Sequence, residues 1–352
     1  MSGYGPNEAT SWWRAGNFTL ESGERLPDVE VAYRTWGELN DDASNAVLVC
    51  HALTGDANVD VWWGDAVGPG SGIDTERYFV ICSNVLGSCY GTTGPTSLRP
   101  GTNRRYGSAF PHVTIRDIVR LQRGLLSHLG IRRLALVVGG SMGGMQVLEW
   151  AVMYPDVVCA AAPISVGANH SPWCIGVSEA QRQAIFADPN WNDGDYPPDR
   201  PPSAGLSIAR QIAIVSYRSP ASFKMKFGRG RNGHGFDVEA YLRYQGEALV
   251  DRFDAATYVA LTYAMDSHDI ARGRGTVAQV LGGISAPVLV VGISSDVLYP
   301  VEEQHELTEL IPDSRYVELD VPNGHDGFLI EHQAVSGEVG AFLDELERCW
   351  VP

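Results

Sequence analysis

The chain has 352 residues, enough for one large α/β domain with an insertion or for two domains. Hydrophobic residues make up 44% and charged residues 19%, an ordinary globular balance, and no apolar run reaches the length of a membrane span. The formal net charge of −16 argues against nucleic-acid binding and obliges any polyanionic ligand to find a local basic cluster.

The positive charge is almost all arginine; Lys224 and Lys226 are the two lysines. The first residues, Met-Ser-Gly-Tyr-Gly-Pro-Asn-Glu, lack the basic and apolar regions of a signal peptide, so a cytoplasmic protein is expected. The six cysteines (50, 82, 89, 159, 174 and 349) form no C-x-x-C pair and no zinc spacing. Buried thiols, no disulfide framework and no metal site are expected.

Along the chain, Phe18–Leu20 and Val29–Tyr33 alternate apolar and polar around Gly23 and predict an antiparallel hairpin within 17–35. Asn45–Cys50 and Tyr78–Cys82 read as buried strands, and Ile115–Leu129 as a helix ending at Gly130. The run Leu134–Val138 leads directly into Gly139-Gly-Ser141-Met-Gly143, and Val147-Leu-Glu-Trp-Ala151 follows. A glycine-flanked serine between a strand and a helix fits the G-x-S-x-G nucleophile elbow. A Cβ two positions either side of the serine would collide across so tight a turn. The next amide, Met142 N–H, would open a helix and could stabilise an oxyanion.

Ala160–Ile164 is a further short strand. From about 166 to 283 helical signals dominate, best at 206–217, 238–251 and 255–265, with a proline-rich connector at 188–202. The strand–helix rhythm resumes at 287–292 and 316–319 and ends in a helix near 334–348. This pattern predicts an α/β core (1–165 and 284–352) with a mostly parallel sheet, an antiparallel edge and a helical insertion (166–283).

A serine hydroxyl needs a base, and the base needs an orienting group. With the order Ser…Asp/Glu…His expected of hydrolase-type sheets, two loops just past strand ends supply them. Gly292-Ile-Ser-Ser-Asp296 offers Asp296 as orienter, with Asp313 and Asp320 as competitors, and Asn323-Gly-His325-Asp-Gly-Phe offers His325 as base. The second oxyanion donor is expected in Cys50-His-Ala-Leu-Thr-Gly55, at the Leu53 amide. These residues specify acyl chemistry without separating hydrolysis from transfer.

Further segments match in order: His51-Ala-Leu-Thr-Gly55, Asn84-Val-Leu-Gly-Ser-Cys-Tyr-Gly-Thr-Thr-Gly-Pro95, Gly140-Ser-Met-Gly-Gly-Met-Gln146, Met265-Asp-Ser-His-Asp269 with Arg272-Gly-Arg274, and Gly324-His-Asp-Gly-Phe-Leu329. Over nearly its whole length the chain resembles the homoserine O-acetyltransferase family of α/β-hydrolase-fold enzymes. The resemblance implies ping-pong acetyl transfer from acetyl-CoA, a co-substrate, through an acyl-Ser141 to L-homoserine, with no permanently bound cofactor. By the same resemblance Arg210 pairs with the amino-acid carboxylate and Asp326 with its ammonium. The insertion would form a lid over a tunnel and contribute to a homodimer. Arg218, Arg229, Arg231, Arg272 and Arg274 are candidates for the CoA phosphates. Succinyl-CoA as donor, serine as acceptor, or simple ester hydrolysis are the alternatives on this scaffold.

Overall fold

A computed structural model describes residues 3–233 and 235–350. Eight strands form the central sheet: β1 (Ser11–Thr19), β2 (Arg25–Trp36), β3 (Ala46–Cys50), β4 (Phe79–Ser83), β5 (Leu134–Gly140), β6 (Ala161–Ile164), β7 (Val288–Ile293) and β8 (Ser314–Leu319). Their spatial order is β1-β2-β4-β3-β5-β6-β7-β8. The six strands from β4 to β8 run parallel, and β1 and β2 add an antiparallel edge.

β3, β5, β6 and β7 are apolar throughout because both faces are covered, whereas the edge strand β8 carries Ser314, Arg315 and Glu318 and is only partly buried. On β3, Ala46, Leu48 and Cys50 enter one core, while Val47 and Val49 enter the other. Helices α1 (Ile115–His128) and α2 (Met142–Met153) pack on the first face, and α9 (His332–Trp350) covers the second. Between β6 and β7 the chain leaves the sheet for a helical segment: α3 (Pro172–Phe186), α4 (Ser203–Tyr217), α5 (Pro220–Phe227), α6 (Asp237–Val250) and α7 (Ala255–Asp266), with α8 (Val301–Leu310) following β7.

The first hairpin is longer than its sequence pattern. β1 begins at Ser11, and register shifts between Arg14 and Gly16 and between Gly16 and Phe18 break the alternation that would have marked it. α3 and α5 are nearly uniform in polarity and carry no strong periodic signal, but each starts at a serine cap followed by proline.

The elbow depends on close backbone approach. A Cβ on Gly139 would lie 2.5 Å from the Cys50 carbonyl oxygen, and one on Gly143 would strike the same atom. A Cβ on Gly140 would lie 2.6 Å from the Phe328 ring. Gly143→Ala must therefore push the elbow away from the end of β3. The expected cost is about 1–3 kcal/mol of overpacking, read as a lower thermal-unfolding midpoint. An unchanged midpoint would show that the elbow does not depend on this approach.

Candidate active site

Ser141 joins β5 to α2 at φ 58° and ψ −125°, a sparsely populated conformation costing about 1–3 kcal/mol. Its amide donates to the Ile164 carbonyl at 3.0 Å, which fixes the turn to β6. Met142 is the first residue of α2, so its amide has no carbonyl one turn back.

Leu53 lies in a tight turn closed by the Gly55 amide donating to Ala52 O at 3.0 Å. Its own amide donates no hydrogen bond among the described residues. The carbonyls around it are held. His51 Nδ1 donates to Ala52 O at 2.8 Å, and His51 Nε2 accepts from the Val85 amide at 3.1 Å. Complete burial holds His51 below its usual pKa, so it stays neutral, with its proton on Nδ1. Because a peptide is planar, fixing Ala52 C=O also fixes the direction of Leu53 N–H. Gln146 Nε2 donates to His51 O at 3.2 Å, and Gln122 Nε2 donates to Gln146 Oε1 at 2.8 Å.

Asp296 follows β7 and His325 follows β8. Asp296 Oδ1 accepts from the Leu298 and Tyr299 amides at 2.8 and 3.0 Å, and Oδ2 accepts from His325 Nδ1 at 2.7 Å. That leaves His325 Nε2, which is buried and has no partner among the described residues. The ring packs against Tyr299, Tyr217 and Phe328, with centroids 5.2, 5.6 and 5.7 Å away. Burial opposes protonation of His325, but the Asp296 charge and hydrogen bond, helped by Asp326, outweigh it and raise the pKa. The competing carboxylates stand elsewhere. Asp320 accepts from the Ser294 hydroxyl at 2.9 Å, and Asp313 precedes β8, at the strand's opposite end.

Ser141, His325, Leu53, Arg210, Asp326 and Tyr217 line one small cavity of about 50 Å³. Arg210 makes no ion pair among the described residues and lies 5.7 Å over the Tyr217 ring. Asp326 pairs with Arg218 Nε at 3.2 Å. Tyr217 was not singled out in the sequence, although it lies seven residues from Arg210, on the same face of α4. Burial raises its hydroxyl pKa to about 12, so it stays a neutral phenol. A larger cavity of about 590 Å³ contains none of these six residues.

Three of the arginines considered for CoA are already paired. Arg218 is on Asp326, Arg272 holds both Glu21 oxygens at 3.0 and 2.9 Å, and Arg274 holds buried Glu149 at 2.8 Å. Arg116 joins both acids, at 3.2 Å to Glu21 and 3.0 Å to Glu149. Arg229 and Arg231 are exposed and, with Lys224 and Lys226, make no ion pair among the described residues.

Among the described residues no group of three or more His, Cys, Asp or Glu side chains could hold a metal. No described helix is long and apolar enough to cross a membrane.

A family model for the alpha/beta hydrolase fold matches residues 45–331, and the chain belongs to that fold family. Homoserine O-acetyltransferases of Chlorobium chlorochromatii and Salinibacter ruber are 54% and 55% identical to it. These matches cover 94% and 92% of this chain and 94% of each relative. Within the fold, the chain is a member of the homoserine O-acetyltransferase family. Among solved structures, homoserine O-acetyltransferase from Bacillus anthracis superposes with a TM-score of 0.89 at 26% identity, covering 95% of this chain and 97% of that one. Esterase E22 superposes with a TM-score of 0.87 at 28% identity, covering 95% and 99%.

The His325 balance can be measured. In a proton-NMR titration its ring should titrate above 6.5, the ordinary histidine value. In Asp296→Asn, burial is opposed only by Asp326, and the midpoint should drop. An unchanged midpoint would mean that Asp296 does not set the charge of the ring.

Proposed function

We propose that this chain transfers the acetyl group of acetyl-CoA to the side-chain hydroxyl of L-homoserine, giving O-acetyl-L-homoserine for methionine biosynthesis. The observation that carries this reading is one cavity bordered by a serine, a histidine with a free Nε2, an unpaired arginine and a carboxylate. A hydrolase needs only the first two. The arginine and carboxylate suit the two charged ends of an amino acid.

Ser141 Oγ attacks the thioester carbonyl as His325 Nε2 takes its proton, and the Leu53 and Met142 amides receive the oxyanion. The thiolate of CoA leaves with that proton. Homoserine enters with its carboxylate on Arg210 and its ammonium on Asp326, which Arg218 already shares. His325 removes the hydroxyl proton, the alkoxide attacks the acetyl-serine, and Ser141 leaves reprotonated. Asp296 holds the imidazole tautomer and stabilises the imidazolium in both steps.

The helical segment would serve as a lid that limits water at the ester and so favours transfer over hydrolysis. Lys224, Lys226, Arg229 and Arg231 offer the unpaired positive charge for the CoA phosphates. Ile208 and Val215 on α4 and Tyr244 on α6 expose apolar surface, which supports a homodimer formed through this segment. A cytoplasmic location fits both substrates.

Ester hydrolysis is the second reading, supported by the likeness to esterase E22. Without acceptor, acetyl-CoA should leave one acetyl group on the intact chain and none on Ser141→Ala, as read by mass spectrometry. Succinyl-CoA in the same experiment tests donor choice. Initial rates with both substrates should give parallel lines; intersecting lines would overturn the ping-pong order. Rapid turnover of simple esters, unaffected by homoserine, would favour the esterase.

Arg210→Ala removes the proposed carboxylate partner together with its contact with the Tyr217 ring. The KM for homoserine should rise by about tenfold or more, the loss of a charge-assisted hydrogen bond, while acetylation of Ser141 stays near the unsubstituted rate. Equal effects on donor and acceptor would remove Arg210 from the acceptor site.

A further inference from the structure

We infer that Arg252 is a positioning residue for the oxyanion turn, the point at which the helical segment holds the Leu53 amide against the elbow. This inference rests on the acyl-transfer reading above. Arg252 lies between α6 and α7, outside the catalytic cavity. Its Nη1 donates to Thr54 O at 2.8 Å and to the Tyr90 hydroxyl at 2.6 Å, and its Nη2 reaches Thr54 Oγ1 at 3.4 Å. The guanidinium lies 3.9 Å over the Tyr4 ring, and the Tyr90 ring meets Phe253 edge-on at 5.6 Å.

This arginine is committed to neutral partners, one backbone carbonyl and two hydroxyls. It makes no ion pair among the described residues, and its strongest contact within the 51–55 loop is a main-chain carbonyl. The carbonyls of His51, Ala52 and Thr54, which bracket the Leu53 amide, are then held by Gln146, His51 and Arg252 respectively. The first two holders belong to the core, and the third comes from the helical segment. Behind it lies the cavity of about 590 Å³, bordered by Tyr4, Tyr90, Arg252 and Phe253. Without the guanidinium, that side of the turn would border open space. An oxyanion donor is useful only where it is aimed before the charge develops, so freedom at Thr54 becomes lost stabilisation at Leu53.

The Thr54 carbonyl, Thr54 Oγ1 and the Tyr90 hydroxyl take the forked donors while the planar face lies over the Tyr4 ring, and an ammonium cannot serve them all. Tyr90 belongs to the Asn84–Pro95 segment, which also supplies the Val85 amide to His51 Nε2. That segment therefore supports the turn from two sides.

The experiment follows the two half-reactions separately by rapid quench: CoA release on acylation of Ser141, and loss of the acetyl-enzyme on adding homoserine. Both pass through an oxyanion, so Arg252→Ala should slow both by the same factor, about tenfold to a hundredfold, with the KM for homoserine within about twofold. Arg252→Lys should recover only part of the rate. Tyr90→Phe, which removes one anchor and keeps the ring, should slow both steps by a smaller common factor, and it carries the test if Arg252→Ala fails to fold. Unchanged rates in the folded variants, or a loss confined to one half-reaction, would overturn the inference. Absence of an acetyl-enzyme in the unsubstituted protein would instead overturn the acyl-transfer reading.

Discussion

The site is built against the carbonyl oxygen of Cys50, at the carboxyl end of β3. Two glycines of the elbow press on that oxygen, and a side chain at either position would force the elbow away from β3. The same strand end leads within three residues to the Leu53 amide. One close approach therefore fixes the distance between Ser141 and the Leu53 amide, the proposed nucleophile and oxyanion donor, although they follow different strands. The strain at Ser141 persists because β3, β6 and α2 hold it from three directions.

Charge at the site is arranged with similar economy. His325 is enclosed by aromatic rings that disfavour its cationic form, and Asp296 restores the balance from the far side of the imidazole. His51 is buried without a carboxylate hydrogen-bonded to its ring and stays neutral, which suits a residue that only orients a peptide. Arg210 and Asp326 give the cavity one charge of each sign.

The inner strands β3, β5, β6 and β7 are legible in the sequence because strands buried on both faces read as unbroken apolar runs. The candidates Ser141, Asp296 and His325 are legible because each follows a recognisable strand. The opening hairpin extends beyond its legible pattern because bulges destroy the alternation. The arginines were least legible. Arg272 pairs with Glu21, 251 residues away, and Arg218 pairs with Asp326, which no local pattern encodes. Arg252 and Tyr217 carry no local signal for the same reason, since their meaning lies in what folds onto them.

Chain order has a consequence for synthesis. The serine and the oxyanion turn belong to the first half of the polypeptide, whereas Asp296 and His325 lie beyond the entire helical segment. On the ribosome the hydroxyl emerges well before its base, and β7 and β8 must dock on the sheet edge before the two can meet. On the proposed mechanism a nascent or prematurely terminated chain exposes an ordinary alcohol that consumes no thioester. Reactivity appears only in molecules whose last strands have been made and folded.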